Sequence, residues 1–294
     1  MTFSSYEQWR PALAPRRQVD CLWTRSNAGG PSYGQLIVPD GCVDLVWSDG
    51  RLEVAGPDHA PRSAPVRGGA ELAGVRFRPG AASLLLGAVP VRELRDRQVP
   101  FAEVAGAAVA ERLGERLARA RGPREVAAEL DGFAAALVPG WAPDPVVERA
   151  VAALGRAQGA RLPALAAELG LSERQLRRRV TDAVGYGPKT LHAVLRFQRA
   201  LTWARSEAGS ESGAQDGPQG GPQGGPQSGS RGGSRGEEAG RAGAGLAELA
   251  VRAGYADQAH LTREVRRWAG VPPTVLLGRT ARPGASGQAL DASS

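Results

Sequence analysis

Three arginines, Arg174, Arg177 and Arg178, stand three and four residues apart, the spacing that places side chains on one helix face. An arginine there can pair bidentately with guanine O6 and N7 or grip a backbone phosphate. A second set, Gln258, Ala259, Thr262 and Arg263, has comparable helical spacing, and Gln258 suits adenine. His260 sits beside Leu261 and reads as a packing residue or a phosphate donor. Ser172 and Asp257 stand just ahead of the two sets, where a side-chain oxygen can cap the first turn of a helix. The residues expected to meet DNA are therefore Ser172, Arg174, Arg177 and Arg178, with Gln258, Ala259, His260, Thr262 and Arg263. No nucleophile–base pair, phosphate loop or carboxylate dyad stands out, so no catalytic residues and no cofactor are expected. His59, His192 and His260 are far apart, and Cys21 and Cys42 form no CxxC pair, so no metal site is expected either.

The elements that must hold these side chains are visible as a repeat. Residues 162–188 and 246–273 share one spacing. Leu162/Leu165 and Leu246/Leu249 precede Ala166 and Ala250, and a glycine follows four residues later, Gly170 or Gly254. From each cap an apolar residue falls at +4 (Leu176, Leu261) and +8 (Val180, Val265), and a glycine at +13 (Gly185, Gly270). The alanine permits two helices to cross closely, and the glycine suits a tight turn between them. The +4 and +8 residues pin one helix face to a core and leave the opposite face free for a major groove. The second copy carries one extra residue between glycine and cap.

Charge follows the repeat. The 294-residue chain is net +7, with Lys189 its only lysine. Residues 143–205 hold eleven basic against five acidic side chains and residues 243–280 five against three, whereas residues 1–142 are nearly balanced at seventeen against sixteen. A basic footprint of this kind favours phosphate contact. No apolar run approaches a membrane span, and the first residues lack the apolar stretch of a signal peptide. No membrane association and a cytoplasmic, nucleoid-associated location are expected.

The organisation reads as five segments. Residues 1–142 form an α+β domain, with short strands over 34–80, an Asp49-Gly50 hairpin turn, and helices from Ala81 to Val138. Residues 143–205 hold the first helix-turn-helix unit and a linker helix from Pro188 to Ser206, opened by Asp144 as cap and Pro145. Residues 206–245, rich in Gly, Pro, Gln and Ser, read as a disordered insertion. Residues 246–280 hold the second unit, and 281–294 read as a disordered tail. The fold class is an α+β domain followed by an all-α domain of two helix-turn-helix units.

Residues 143–280 resemble the C-terminal DNA-binding domain of the AraC/XylS family of bacterial regulators. Ser172–Gly185 carries the resemblance, as does the run from Ala253-Gly254-Tyr255-Ala256-Asp257-Gln258 through Trp268-Ala269-Gly270-Val271-Pro272-Pro273. It implies two recognition helices, joined by a linker helix, set in successive major-groove segments on one face of the DNA. By position, the family's base-contacting sites fall on Arg174, Arg177 and Arg178, and on Gln258, Ala259 and Arg263. The chain departs from the family in the 206–245 insertion, where a few residues are usual. A roughly tenfold longer flexible loop costs only about 2 kcal/mol of closure entropy.

Ile37–Trp47 and Gly74–Ala81 resemble a module often found ahead of such domains, and the resemblance implies a sensory or dimerising role. Asp44 lies in an apolar strand, so its burial requires a partner, Arg76 or Arg78. Cys42, Trp47 and Phe77 read as core residues. The partners compatible with this reading are double-stranded promoter DNA, a small-molecule effector within residues 1–142, a second copy of the chain, and RNA polymerase. Two other classes compete: an enzyme or alkyl-acceptor repair protein fused to the same DNA-binding domain, which needs a reactive cysteine cluster, and a non-sensing architectural DNA binder.

Overall fold

The computed structural model describes residues 4–156, 161–213, 245–280 and 289–291. The expected disordered insertion and tail lie largely outside the described residues. The first half is β-rich and the second helical.

Strands β1 (Ser4–Trp9), β2 (Val19–Asn27), β4 (Val43–Ser48), β5 (Arg51–Ala55), β7 (Glu71–Phe77) and β8 (Gln98–Pro100) form one antiparallel sheet in the order β1-β2-β7-β4-β5-β8. β3 (Tyr33–Ile37) pairs with β6 (Arg62–Val66) in a second sheet. The Asp49-Gly50 turn forms as expected, both residues at positive φ, as a two-residue hairpin demands. Within the first half, three strands lie outside the expected 34–80 window: β1, β2 and β8. The first two carry no clean apolar alternation because one face of β2 holds Arg25 and Trp23 rather than aliphatic residues. β6 contains Pro65, which fits a strand bordered on only one side.

Side chains alternate across the large sheet. Leu22, Leu45, Val54, Ala73, Val75 and Phe77 are buried on one face beneath α4 (Pro123–Leu137) and its neighbours α1 (Ser83–Leu86), α2 (Phe101–Ala105) and α3 (Ala107–Ala118). The buried Asp131 of α4 accepts the backbone N–H groups of Ala12, Leu13 and Ala14 at 2.8–2.9 Å, which ties the β1–β2 connection to the helix layer. The opposite face points toward the small sheet.

The helical half contains α5 (Pro145–Leu154), α6 (Leu162–Glu168), α7 (Glu173–Val184), α8 (Pro188–Gly213), α9 (residues 245–253), α10 (Gln258–Ala269) and α11 (Pro273–Thr280). Asp144 caps α5 through the Val146 and Val147 N–H groups, with Pro145 at its first position, as the sequence led us to expect. Two bounds differ from expectation. α8 continues past Ser206 to Gly213, since nothing in Glu207–Gly213 breaks a helix as proline would. Within the expected disordered tail, Ala289–Asp291 forms a short strand, β9, against the outer edge of β3, whose backbone groups there have no other partner strand.

Candidate nucleic-acid interface and inter-sheet cavity

The turns of the two helix-turn-helix units share one backbone hydrogen-bond pattern. In the first turn Gly170 N donates to Ala167 O and Leu171 N to Ala166 O, at 3.1 and 2.9 Å. In the second, Gly254 N donates to Val251 O and Tyr255 N to Ala250 O, at 3.0 and 2.8 Å. This is a helix C-terminus closed by a left-handed residue, so both positions favour glycine, with φ of +65° and +84°. Ala166 and Ala250 are both buried at the crossing. The second helix of each unit then ends alike, with Gly185 N bonded to Thr181 O and Gly270 N to Arg266 O, each at 2.9 Å.

Helix α7 starts with a capping box. Ser172 Oγ accepts from Gln175 N at 3.3 Å, and Gln175 Oε1 accepts from Ser172 N at 2.9 Å. Ser172 is thus committed to the cap, although exposed. Leu176, Val180 and Val184 face inward and are fully buried, leaving Arg174, Arg177 and Arg178 exposed on the outer face. In α10, Asp257 accepts from His260 N at 2.6 Å, and Leu261, Val265 and Trp268 are buried. Gln258, Ala259 and Arg263 are exposed and Thr262 half-exposed, its hydroxyl donating back to Gln258 O at 2.8 Å.

His260 belongs to the turn. It is half-buried, its ring lies edge-on to Tyr255 at 5.2 Å, and its Nδ1 accepts from Ala256 N at 3.4 Å. Arg266, absent from the sequence-derived set, shares the exposed face, being four residues from Thr262 and three from Arg263. That spacing was available as a signal. Among the described residues, Arg174, Arg177, Arg178, Arg263 and Arg266 have no carboxylate partner, whereas nearby Arg179 pairs with Asp144 and Arg267 with Glu264. The outward face of each unit therefore carries uncompensated positive charge.

Helix α8 fuses the units. Leu191, Val194, Phe197, Ala200 and Leu201 join one continuous core with Leu176 and Val180 of the first unit and Leu249, Leu261, Val265 and Trp268 of the second. Arg199 reaches both units, donating to Gly155 O and, at 3.2 Å, to Ala253 O. Arg196 lies 4.5 Å from the Tyr255 ring centre and 3.4 Å from the Glu264 carboxylate.

In the first half, a cavity of about 620 Å³ lies between the two sheets. That volume suits a small organic ligand. Its walls combine apolar Tyr6, Trp23, Val46 and Leu72 with charged residues. Trp23 lies flat over Gly74, where any Cβ would stand 2.5 Å from the indole. Asp44 accepts from Trp23 Nε1 at 2.8 Å and faces Arg76 Nε at 3.1 Å, so of the two arginines expected to partner it, Arg76 is the one. Arg78 instead meets Asp20 at 2.8 Å. Asp40 lies 3.6 Å from Arg76, yet burial outweighs that attraction and raises its carboxyl to about 6. Cys21 and Cys42 are both free and buried; burial pushes the Cys21 thiol up to about 12 and Cys42 well above its ordinary value. Such thiols stay protonated and are poor nucleophiles.

The segment Val38–Cys42 separates the cavity from the helical half. Ile37, Asp40 and Cys42 line the cavity, while Val38 is buried in the core of the helical half. Gln198 of α8 donates to Pro39 O at 2.6 Å. A Cβ on Gly41 would meet the Tyr186 hydroxyl at 3.0 Å. Arg92 forms an ion pair with Asp182 at the end of α7, completing a contact between the halves.

Comparison with known proteins adds three findings. The family model described as "Domain of unknown function (DUF6597)" matches residues 7–100, which take in the large sheet except the start of β1, the small-sheet strands β3 and β6, and the cavity lining except Tyr6. No curated protein matches in sequence. Among solved structures, the chain is similar to ToxT from Vibrio cholerae O395 at 9% identity and a TM-score of 0.37, covering 94% of this chain and 96% of that one. A second ToxT structure, bound to (E)-4-(8-methylnaphthalen-1-yl)but-3-enoic acid, gives 10% identity and a TM-score of 0.39 over 95% and 98% of the two chains. At such TM-scores the likeness carries no assignment for this chain.

Proposed function

We propose that this protein is a sequence-specific DNA-binding transcriptional regulator of the AraC type. One observation carries the reading: two helix-turn-helix units of matching hydrogen-bond pattern share a core, and each turns an exposed, unpaired arginine face outward. A positive face of this kind gains affinity by releasing counterions from phosphates, and side chains at the groove floor then discriminate bases. Arg174, Arg177 and Arg178 would serve the first half-site, and Gln258, Ala259, Thr262, Arg263 and Arg266 the second. Ser172 and His260 support these helices from the turns.

In the same reading, the inter-sheet cavity is a sensor for a small molecule. The Val38–Cys42 segment touches the cavity on one side and α8 on the other, so a ligand that shifts it can bias how the two units present themselves. The alkyl-acceptor alternative finds no support, since it needs an accessible thiolate and both cysteines are buried thiols of raised pKa. Selection of bound fragments from random DNA, with the full-length chain, tests the reading. Enrichment of a common bipartite sequence is expected; binding that is uniform across sequences would contradict it.

A further inference from the structure

The inter-sheet cavity contains two buried arginines in very different circumstances. Arg76 lies between Asp44 and Asp40. Arg25 is 6% exposed and has no acidic partner among the described residues. Its Nη1 donates to the Tyr33 hydroxyl at 2.8 Å, and its guanidinium carbon lies 4.9 Å from the Tyr6 ring centre. Its Nη2 is buried without a hydrogen-bond partner among the described residues. Two other cavity arginines show the contrast, Arg62 pairing with Asp58 and Arg67 with Asp49, while Arg51 on the cavity rim is exposed. A guanidinium removed from water without a counter-ion is costly, and such a group is found where an anion completes it.

A second orphan lies in the same cavity. Gln35 is 3% exposed, and its Oε1 has no donor among the described residues. Gln35 is two residues from Tyr33 on one face of β3, so the orphan acceptor and the tyrosine that holds Arg25 are about 7 Å apart along the strand. Between and beside them, Trp23, Val46 and Leu72 offer an apolar wall.

We propose that the cavity binds a small organic acid, its carboxylate on Arg25, a hydroxyl or amino donor on Gln35, and its apolar body against Trp23, Val46 and Leu72. A planar guanidinium edge matches a carboxylate. One buried arginine without an acidic partner among the described residues, in a cavity that also holds Asp40 and Asp44, suits a single negative charge better than a phosphate. The proposal rests on the sensor reading above and specifies its ligand.

The experiment uses full-length protein in a thermal-shift titration with hydroxyphenylalkanoic, indolylalkanoic and six- to ten-carbon hydroxyalkanoic acids, each run beside its primary amide. At least one acid is expected to raise Tm saturably while its amide does not. Arg25→Met should abolish that shift and Arg25→Lys retain part of it. Gln35→Leu, which leaves the arginine in place, should weaken the same acid at least fivefold, and it keeps the test decisive if Arg25→Met fails to fold. An acid shift that survives Arg25→Met, amides that match their acids, or no shift from any acid would each overturn the organic-acid assignment. The sensor reading is tested separately by filling the cavity with Leu72→Trp. It falls if that variant folds and binds the selected DNA with unchanged affinity.

Discussion

The Gln198 side-chain amide donates to the Pro39 carbonyl at 2.6 Å, joining the helix between the two helix-turn-helix units to the back wall of the inter-sheet cavity. This bond makes a specific demand. Gln198→Ala should leave DNA affinity of the ligand-free protein within about twofold and reduce any ligand-induced change in that affinity. Fluorescence anisotropy on the selected sequence, with and without ligand, measures both. An unchanged ligand response would place the coupling elsewhere, at Arg92 and Asp182.

The residues proposed to face bases should separate by type. Arg177→Ala and Gln258→Ala are each expected to cost about 1–3 kcal/mol on the cognate sequence, and Gln258→Ala to relax specificity at one position. Competition binding against single-base variants of the site checks this.

Arg266 should behave as a phosphate contact. Arg266→Ala is expected to weaken cognate and non-cognate DNA alike and to lower the slope of log K against log salt by about 1. An altered base preference with an unchanged slope would move Arg266 to the groove floor.

Asp40 predicts a pH dependence of stability. Burial pushes its carboxyl up to about 6 in the folded chain, against 3.8 for an unperturbed one, with Arg76 favouring ionisation and Asp44 opposing it. The folded state therefore binds this proton more tightly. The group's favourable contribution is complete below about pH 4 and lost as pH rises through about 6. A displacement of about two pH units corresponds to roughly 3 kcal/mol. Asp40→Asn should accordingly be more stable than the parent at pH 8, and the difference should vanish near pH 4. Urea denaturation across that range reads it; a variant less stable at pH 8 would contradict the burial argument.

Arg199 holds the first and second units together through Gly155 O and Ala253 O. Arg199→Met should destabilise the helical half by about 1–3 kcal/mol by leaving a part-buried carbonyl unpaired. Calorimetry of the variant gives the value.

Much of the helical half was legible because its signals are local. Gly170, Gly254, Ser172 and Asp257 are turn and cap residues whose geometry depends on near neighbours, so their spacing alone locates the turns. Asp44 likewise announced a buried partner, because an acid inside an apolar strand needs one. The cavity was not legible. Arg25 and Gln35 come from strands of different sheets, and only tertiary pairing shows that both face one interior space. β1 and β2 escaped notice because the cavity face of β2 carries polar and aromatic residues, which removes the alternation that marks a half-buried strand. The docking of the second unit was equally non-local: it depends on Arg199 and on the shared core along α8, on the far side of a long insertion from α9.

The central claim, that two units read one DNA duplex, is tested most directly by hydroxyl-radical footprinting of the full-length protein on its selected sequence. The account predicts two protected windows on one face, about 10 base pairs apart. The combined Arg174→Ala, Arg177→Ala and Arg178→Ala variant should lose one window, and Gln258→Ala with Arg263→Ala the other. A single window, or protection unaffected by either set, would contradict it.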